Sequence, residues 1–227
     1  MSRLERPSAI DCLDEIVALS DAAMVARGDL GVELPAERVP AIQKRIVRSC
    51  RRLGKPVIVA TQMLESMVDS PVPTRAEAWD VYDGADAVML SAESAAGKHP
   101  VAAVDMMNRI IEQTESDPLY RQLVDASHTP AQPGQADVAE AVCCAMRRAV
   151  ALLRASAIVC YTSSGHTSLR AARERPESPI LSLTPNLQTA RRLALVWGVH
   201  SVHIEDVADV GQITTIACEV ERRERFA

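Results

Sequence analysis

The chain has 227 residues, a formal net charge of -5 and 48% hydrophobic residues. That length admits one or two domains burying about two-thirds of their surface, and the mild acidity excludes an obvious nucleic-acid or acidic-membrane partner. Aromatic residues make up only 3%, so aliphatic side chains and alanine must build the core.

The start is charged and polar, without the apolar centre of a signal peptide, and no stretch approaches the length of a membrane span. Six cysteines, Cys12, Cys50, Cys143, Cys144, Cys160 and Cys218, form no Cys-x-x-Cys or metal-ligand spacing. They read as incidental thiols of a reducing compartment, and a cytoplasmic location is expected.

Leu4-Glu5 reads as the end of a strand. Residues 22–26 are a continuous apolar run, as a parallel strand covered on both faces requires, and it stops at Arg27-Gly28-Asp29. Val39, Ile42, Ile46, Val47, Cys50 and Leu53 trace a helical stripe, closed by Gly54 with Pro56 beyond. On the same helix Arg45, Arg48, Arg51 and Arg52, with Lys55, read as a solvated face. A second run, 56–60, ends at Thr61-Gln62, and a third, 87–90, ends at Ser91, Glu93 and Ser94. Val101, Val104, Met107, Ile110 and Ile111 mark another helix. Residues 126–135, polar and rich in turn formers, form the expected linker. Val138, Val142, Met146, Val150 and Leu153 then define an expected buried helix face. Beyond it 157–161, 180–183 and 199–204 read as strands, with a last helix around 207–220. This alternation implies parallel sheets with right-handed crossovers.

Chemistry in β/α architectures sits just past the C-terminal ends of the strands. Any one apolar run meeting polar residues is ordinarily a strand meeting its loop. Three that deliver carboxylates, hydroxyls and a glycine point to one shared anionic-ligand or metal site.

More specific are Leu4-Glu5-Arg6-Pro7, the stretch 24–35, Gly54-Lys55-Pro56, the stretch 60–67, Pro73-Thr74-Arg75-Ala76-Glu77 and Asp83-Gly84-Ala85-Asp86. With Met89-Leu90-Ser91-Ala92-Glu93-Ser94-Ala95-Ala96-Gly97 they resemble the pyruvate kinases over most of the chain. The resemblance implies an α/β fold. Residues 1–122 would be the second half of a (β/α)8 TIM-type barrel, and 123–227 a smaller three-layer α/β carboxy-terminal domain lacking its last strands. It further implies glycolytic phosphoryl transfer from phosphoenolpyruvate to ADP, giving pyruvate and ATP, in a homo-oligomer. Mg2+ (or Mn2+) would serve the reaction, with K+ as a second ion whose ligands fall outside this stretch, as does the nucleotide-covering lid. A truncated chain of impaired or no activity is therefore the expectation. The alternative is a non-catalytic module that binds a phosphorylated metabolite or takes part in assembly.

By the same resemblance, Glu5 and Asp29 hold the divalent ion, Gly28 brings its backbone close to the substrate, and Thr61 bonds the substrate carboxylate near the enolate carbon. Arg27 and Gln62 would support this pocket, with Ser91 and Glu93 behind it. On their own these residues allow plainer readings: Glu5 as a solvated glutamate, Asp29 as a helix cap, Thr61 as a β-branched strand residue. The family has a lysine, an apolar residue and a glutamate where this chain has Arg3-Leu4-Glu5. Arginine keeps the charge, but its planar fork is unlike a compact ammonium. A second departure is Ala78-Trp79-Asp80-Val81, where family members run about one helical turn longer.

The other candidate site is Thr162-Ser163-Ser164-Gly165-His166-Thr167, directly after a strand. Hydroxyls and a glycine before a helix make a phosphate cradle. The resemblance implies that Thr162, Ser163, Ser164, Gly165 and Thr167 take a phosphate of a regulatory sugar phosphate or nucleotide; a plain Ser/Gly turn is the other reading.

Overall fold

The described residues of the computed structural model are 1–74, 77, 83–127, 137–207 and 209–224. They belong to two compact units, Met1–Ser127 and His128–Ala227. Most of the expected linker, and the stretch 78–81, lie outside the described residues.

In the first unit β1 (Ser2–Leu4) leads into α1 (Pro7–Asp11) and α2 (Leu13–Leu19). Then come β2 (Ala23–Ala26), α3 (Arg27–Glu33), α4 (Val39–Arg52) and β3 (Val57–Ala60). After β4 (Ala87–Met89) follow α5 (Ala92–Ala95), α6 (Pro100–Ser116) and α7 (Pro118–Ala126). The strands form one parallel sheet in chain order, the winding of a β/α barrel wall. Leu4 pairs with Val25 and Ala26 with Ala60, so Glu5, Arg27 and Thr61 leave their strands at one edge.

Val25, Val57 and Val59 pack with Leu13, Val17, Ile42, Ile46 and Cys50 into the core of this unit. Of the α4 stripe, Ile42, Ile46, Val47 and Cys50 are buried as the spacing predicts, each large aliphatic side chain contributing roughly 1.5–3 kcal/mol, while Val39 is half-buried and Leu53, just past the helix end, is exposed. Burial, with Asp86 nearby, pushes the Cys50 thiol up to about 12, which makes it a packing group. The α6 stripe is different. Ala103 and Met107 are buried and Ile110 and Ile111 pack against the core, whereas Val101 and Val104 are exposed. An i, i+3 series falls back about 60° per step, so Val101 ends opposite Ile110.

Glu77 ties two loop segments together. Its carboxylate accepts from the amide and hydroxyl of Ser66 and of Thr74, at 2.6–2.8 Å. Burial pulls its pKa upward, but those four donors outweigh it and bring the group from 4.5 down to about 2. A folded pKa below the unfolded one stabilises above the unfolded value and fades as pH falls through the folded value. Glu77→Gln is therefore expected to cost about 1–3 kcal/mol near neutral pH. The gap from the parent should close as the pH drops from 4.5 toward 2, by urea unfolding at a series of pH values. A gap independent of pH would show that the carboxylate's charge is not what holds the loops.

The second unit runs α8 (Val138–Leu153), β5 (Ile158–Tyr161), α9 (His166–Arg173), β6 (Ile180–Thr184), α10 (Leu187–Leu193), β7 (Val199–His203) and α11 (Val210–Glu224). Its strands form a parallel sheet in the order β5, β6, β7. The central β6 is buried throughout, as a strand covered on both faces must be. Ile180 faces Val150, Ala171, Ala172 and Leu193, while Leu181 and Leu183 face Ala217 and Val220 of α11. Helices thus lie on both sides, giving three layers.

The α8 face differs from its expectation. Val138, Val142 and Leu153 are exposed, and Cys143, Met146 and Val150 turn to the core. A series repeating every four residues advances about 40° per step. From Val138 to Val150 that drift reaches about 120°, while Cys143, Met146 and Val150 stay in line. No helix of the described residues is long and apolar enough to cross a membrane.

Candidate functional site

Residues two apart on a strand project to the same face, so Leu4 enters the core and Arg3 and Glu5 turn the other way together. Arg3 Nε lies 2.6 Å from Glu5 Oε2, and its Nη2 donates to Asp29 Oδ2. Glu5 Oε2 is out of solvent contact but off the N–H axis, so it is charge-paired without accepting a hydrogen bond. Asp29 stands in the first turn of α3, whose N-cap is Ala26, so Asp29 is not the cap. Glu5 and Asp29 therefore meet around one guanidinium.

Among the described residues no three His, Cys, Asp or Glu side chains gather into a metal cage. Magnesium does not need one: it is held by one or two carboxylates, with water and substrate oxygens completing the octahedron. Glu5 and Asp29, one with a buried oxygen short of a hydrogen bond, fit that requirement.

Beside this pair the chain leaves β3 in an unusual conformation. Thr61 and Gln62 both have positive φ, 67° and 52°, a region costly for any residue with a Cβ and more so for a β-branched one. Arg27 is buried and braces the turn. Its Nε and Nη2 donate to the Thr61 carbonyl at 3.1 and 2.6 Å, and Nη2 also reaches the Gln62 carbonyl at 2.7 Å. The Gly28 amide donates to Thr61 Oγ1 at 2.8 Å, and that hydroxyl donates to the Ala60 carbonyl at 2.6 Å. A Cβ on Gly28 would meet Thr61 Oγ1 at 3.5 Å, an ordinary contact. Space beside Thr61 therefore does not by itself require a glycine at 28.

Glu93 stands in the first turn of α5, just after β4. It is buried, accepts from the Leu64 amide at 3.2 Å through Oε1, and accepts from the Ser91 amide at 2.6 Å through Oε2. It joins the loops after β3 and β4 and does not touch the Arg3 cluster through any of these bonds. Gly97 packs closely behind it: a Cβ there would lie 2.6 Å from the Glu93 carbonyl oxygen and 3.2 Å from Val68 Cα. Nothing in the sequence marks the Thr61-Gln62 conformation, because neither residue is glycine. An acid in the first turn of the short helix after β4 was the available signal for Glu93.

Residues 1–104 match the family described as pyruvate kinase, barrel domain, and residues 140–227 match pyruvate kinase, alpha/beta domain. The chain belongs to the pyruvate kinase family. A pyruvate kinase of Methylorubrum extorquens is 53% identical over 231 aligned residues, covering 100% of this chain and 48% of that protein. One from Agrobacterium vitis is 54% identical over 215 residues, covering 91% of this chain and 43% of its own length. A crystal structure of a pyruvate kinase from Cryptosporidium parvum superposes with a TM-score of 0.93 at 36% identity, covering 100% of this chain and 46% of that one. The chain thus spans about half the length of the pyruvate kinases it matches. The partial TIM-type barrel followed by a three-layer α/β domain is the pyruvate kinase arrangement.

In the carboxy-terminal unit, 162–167 link β5 to α9. Gly165, with φ of 90°, is the N-cap of α9. A Cβ there would face Thr189 Cγ2 at 3.2 Å and Leu193 Cδ2 at 3.4 Å, so the position is reserved for glycine by both backbone and space. Thr162 is buried and its Oγ1 takes the Gly165 amide at 2.9 Å, while the Ser163 carbonyl accepts from Thr189 Oγ1 at 2.9 Å. Three of the loop's polar groups are therefore already spent, Thr162 Oγ1 and the Gly165 amide on each other and the Ser163 carbonyl on Thr189 of α10. Ser163, Ser164, His166 and Thr167 are exposed, with Ser164 Oγ 3.3 Å from His166 Nδ1.

Proposed function

We propose that this chain carries the reaction centre for phosphoryl transfer from phosphoenolpyruvate to ADP, in the cytoplasm and in a homo-oligomer. What supports the reading most is the convergence of Arg3, Glu5, Asp29, Gly28 and Thr61 at the C-terminal edge of one parallel sheet. Phosphoryl transfer is governed by positioning and charge neutralisation, and this edge offers both. Glu5 and Asp29 would hold Mg2+ or Mn2+, which when bound supplies charge neutralisation to the transferring group, and K+ would serve as the second ion. Arg3 places a fixed positive charge beside them. Gly28 and Asp29 line the substrate side. Thr61 presents its hydroxyl to the substrate by swinging its proton off the Ala60 carbonyl. Arg27 serves through Thr61, whose backbone it holds. The exposed hydroxyls of Ser163, Ser164 and Thr167 at the start of α9 support a second, regulatory phosphate site for a sugar phosphate or nucleotide.

Turnover by these residues alone is expected to be low or nil, because Arg3 replaces the ammonium of the family pattern with a group that cannot be tuned toward neutrality. A coupled assay with phosphoenolpyruvate, ADP, Mg2+ and K+ tests the centre. Asp29→Ala should lower any rate by at least about a hundredfold, the scale of losing one electrostatic contact to the reacting group. Phosphoenolpyruvate with Mg2+ should shift the amide resonances of Gly28 and Thr61 whether or not turnover is seen. A rate indifferent to Asp29→Ala, or substrate shifts confined elsewhere, would move the centre away from this edge.

A further inference from the structure

We infer that Arg3 is a built-in counter-cation of the Glu5/Asp29 pair, which a divalent ion must displace before it can bind. The inference rests on the reading of Glu5 and Asp29 as the metal ligands and concerns what this chain's own arginine does to them. One guanidinium spans both carboxylates, Nε beside Glu5 Oε2 and Nη2 on Asp29 Oδ2. A planar fork with donors on different nitrogens can do this; a compact ammonium concentrates its charge at one point. An ion shared by the two carboxylates must draw one oxygen of each to about 2.0–2.1 Å from a common centre, and the guanidinium that now bridges them competes with it for the same two negative charges.

The exchange is feasible because all three side chains keep solvent-exposed surface, even though the Glu5 oxygen beside Arg3 is itself covered. The side chains of Arg3 and Asp29 are 56% and 52% exposed and that of Glu5 33%, so each pair has the modest strength of a surface ion pair. Displacement also has a use. Arg3 spends its donors on the carboxylates until the ion arrives, and then has them free for an anionic substrate.

The test is Mn2+ binding to the full chain, read as free Mn2+ by electron paramagnetic resonance, for the parent, Arg3→Lys, Arg3→Met and Asp29→Ala. Two surface pairs of ordinary strength amount to a factor of roughly two to thirty. Arg3→Met should bind Mn2+ more tightly by that factor, Arg3→Lys should fall between it and the parent, and Asp29→Ala should lose the site. With diamagnetic Mg2+ the Nε–Hε resonance of Arg3 should move to the position of a solvated arginine at saturation. If Arg3→Met binds no tighter than the parent while Asp29→Ala abolishes binding, the metal site stands and the displacement is wrong. If Arg3→Lys matches the parent while Arg3→Met is tighter, the charge alone matters and the bridging fork is refuted. If Asp29→Ala leaves binding untouched, or no variant binds Mn2+, the ligand assignment itself fails.

Discussion

Replacing Arg27 with methionine is expected to destabilise the first unit by about 3–5 kcal/mol, a large share of the stability of a domain this size. The side chain is buried, and it donates to the carbonyls of both Thr61 and Gln62. Those residues sit at φ of 67° and 52°, which costs roughly 1–2 kcal/mol each for residues carrying a Cβ. Hydrogen bonds from a charged donor return about 1.5–3 kcal/mol each, enough to offset the strain. Methionine fills much of the volume and donates nothing, so it leaves the carbonyls unpaired and the turn free to relax toward extended backbone. Arg27→Lys, which keeps the charge but lacks the fork, should lose less. Urea unfolding gives the energy, and the amide-to-Hα coupling of Thr61 reports its φ. A methionine variant with the parent's urea midpoint and an unchanged Thr61 coupling would show that the turn holds itself.

The central strands β3 and β6 were legible because burial on both faces leaves a plain signature. Val57-Ile58-Val59-Ala60 is apolar throughout, and it is a strand buried at every position. Stripes on helices were legible only where they followed the true period. On α4, Ile42, Ile46 and Cys50 alternate with Gln43 and Val47 around one face and are buried together. On α8 and α6, valine at fixed intervals of four or three drifted off the face, and Val138 and Val101 ended exposed. The site divides in the same way. Glu5 and Asp29 are recognisable from their motifs, and the pairing of β1 with β2 explains why strand ends so far apart in sequence converge. That Arg3 would bridge them does not follow from its charge, which any nearby carboxylate would satisfy; it follows from the shared face of Arg3 and Glu5 on β1 and the first-turn position of Asp29. Thr61 and Gln62 gave no warning of a left-handed backbone, because their conformation is imposed by Arg27 from another strand end. Strain held by distant contacts has no local code.

Glu93 should matter nearly as much as Arg27, by a different route. Its two carboxylate oxygens satisfy the amides of Leu64 and Ser91, and both it and Leu64 are buried. Glu93→Ala would leave two amide donors without an acceptor, at about 1–3 kcal/mol each, and would uncouple the loop after β3 from the loop after β4. Native-state hydrogen exchange should show Leu64 and Ser91 among the amides with the greatest loss of protection, and Glu93→Gln, which retains one acceptor oxygen, should spare one of them. Thr61 lies only three residues before Leu64, so the loosened loop should also broaden the Gly28 and Thr61 resonances. Protection at Leu64 and Ser91 unchanged in Glu93→Ala would mean that water or backbone replaces the carboxylate without cost, and Glu93 would then be a filler of its pocket and no more.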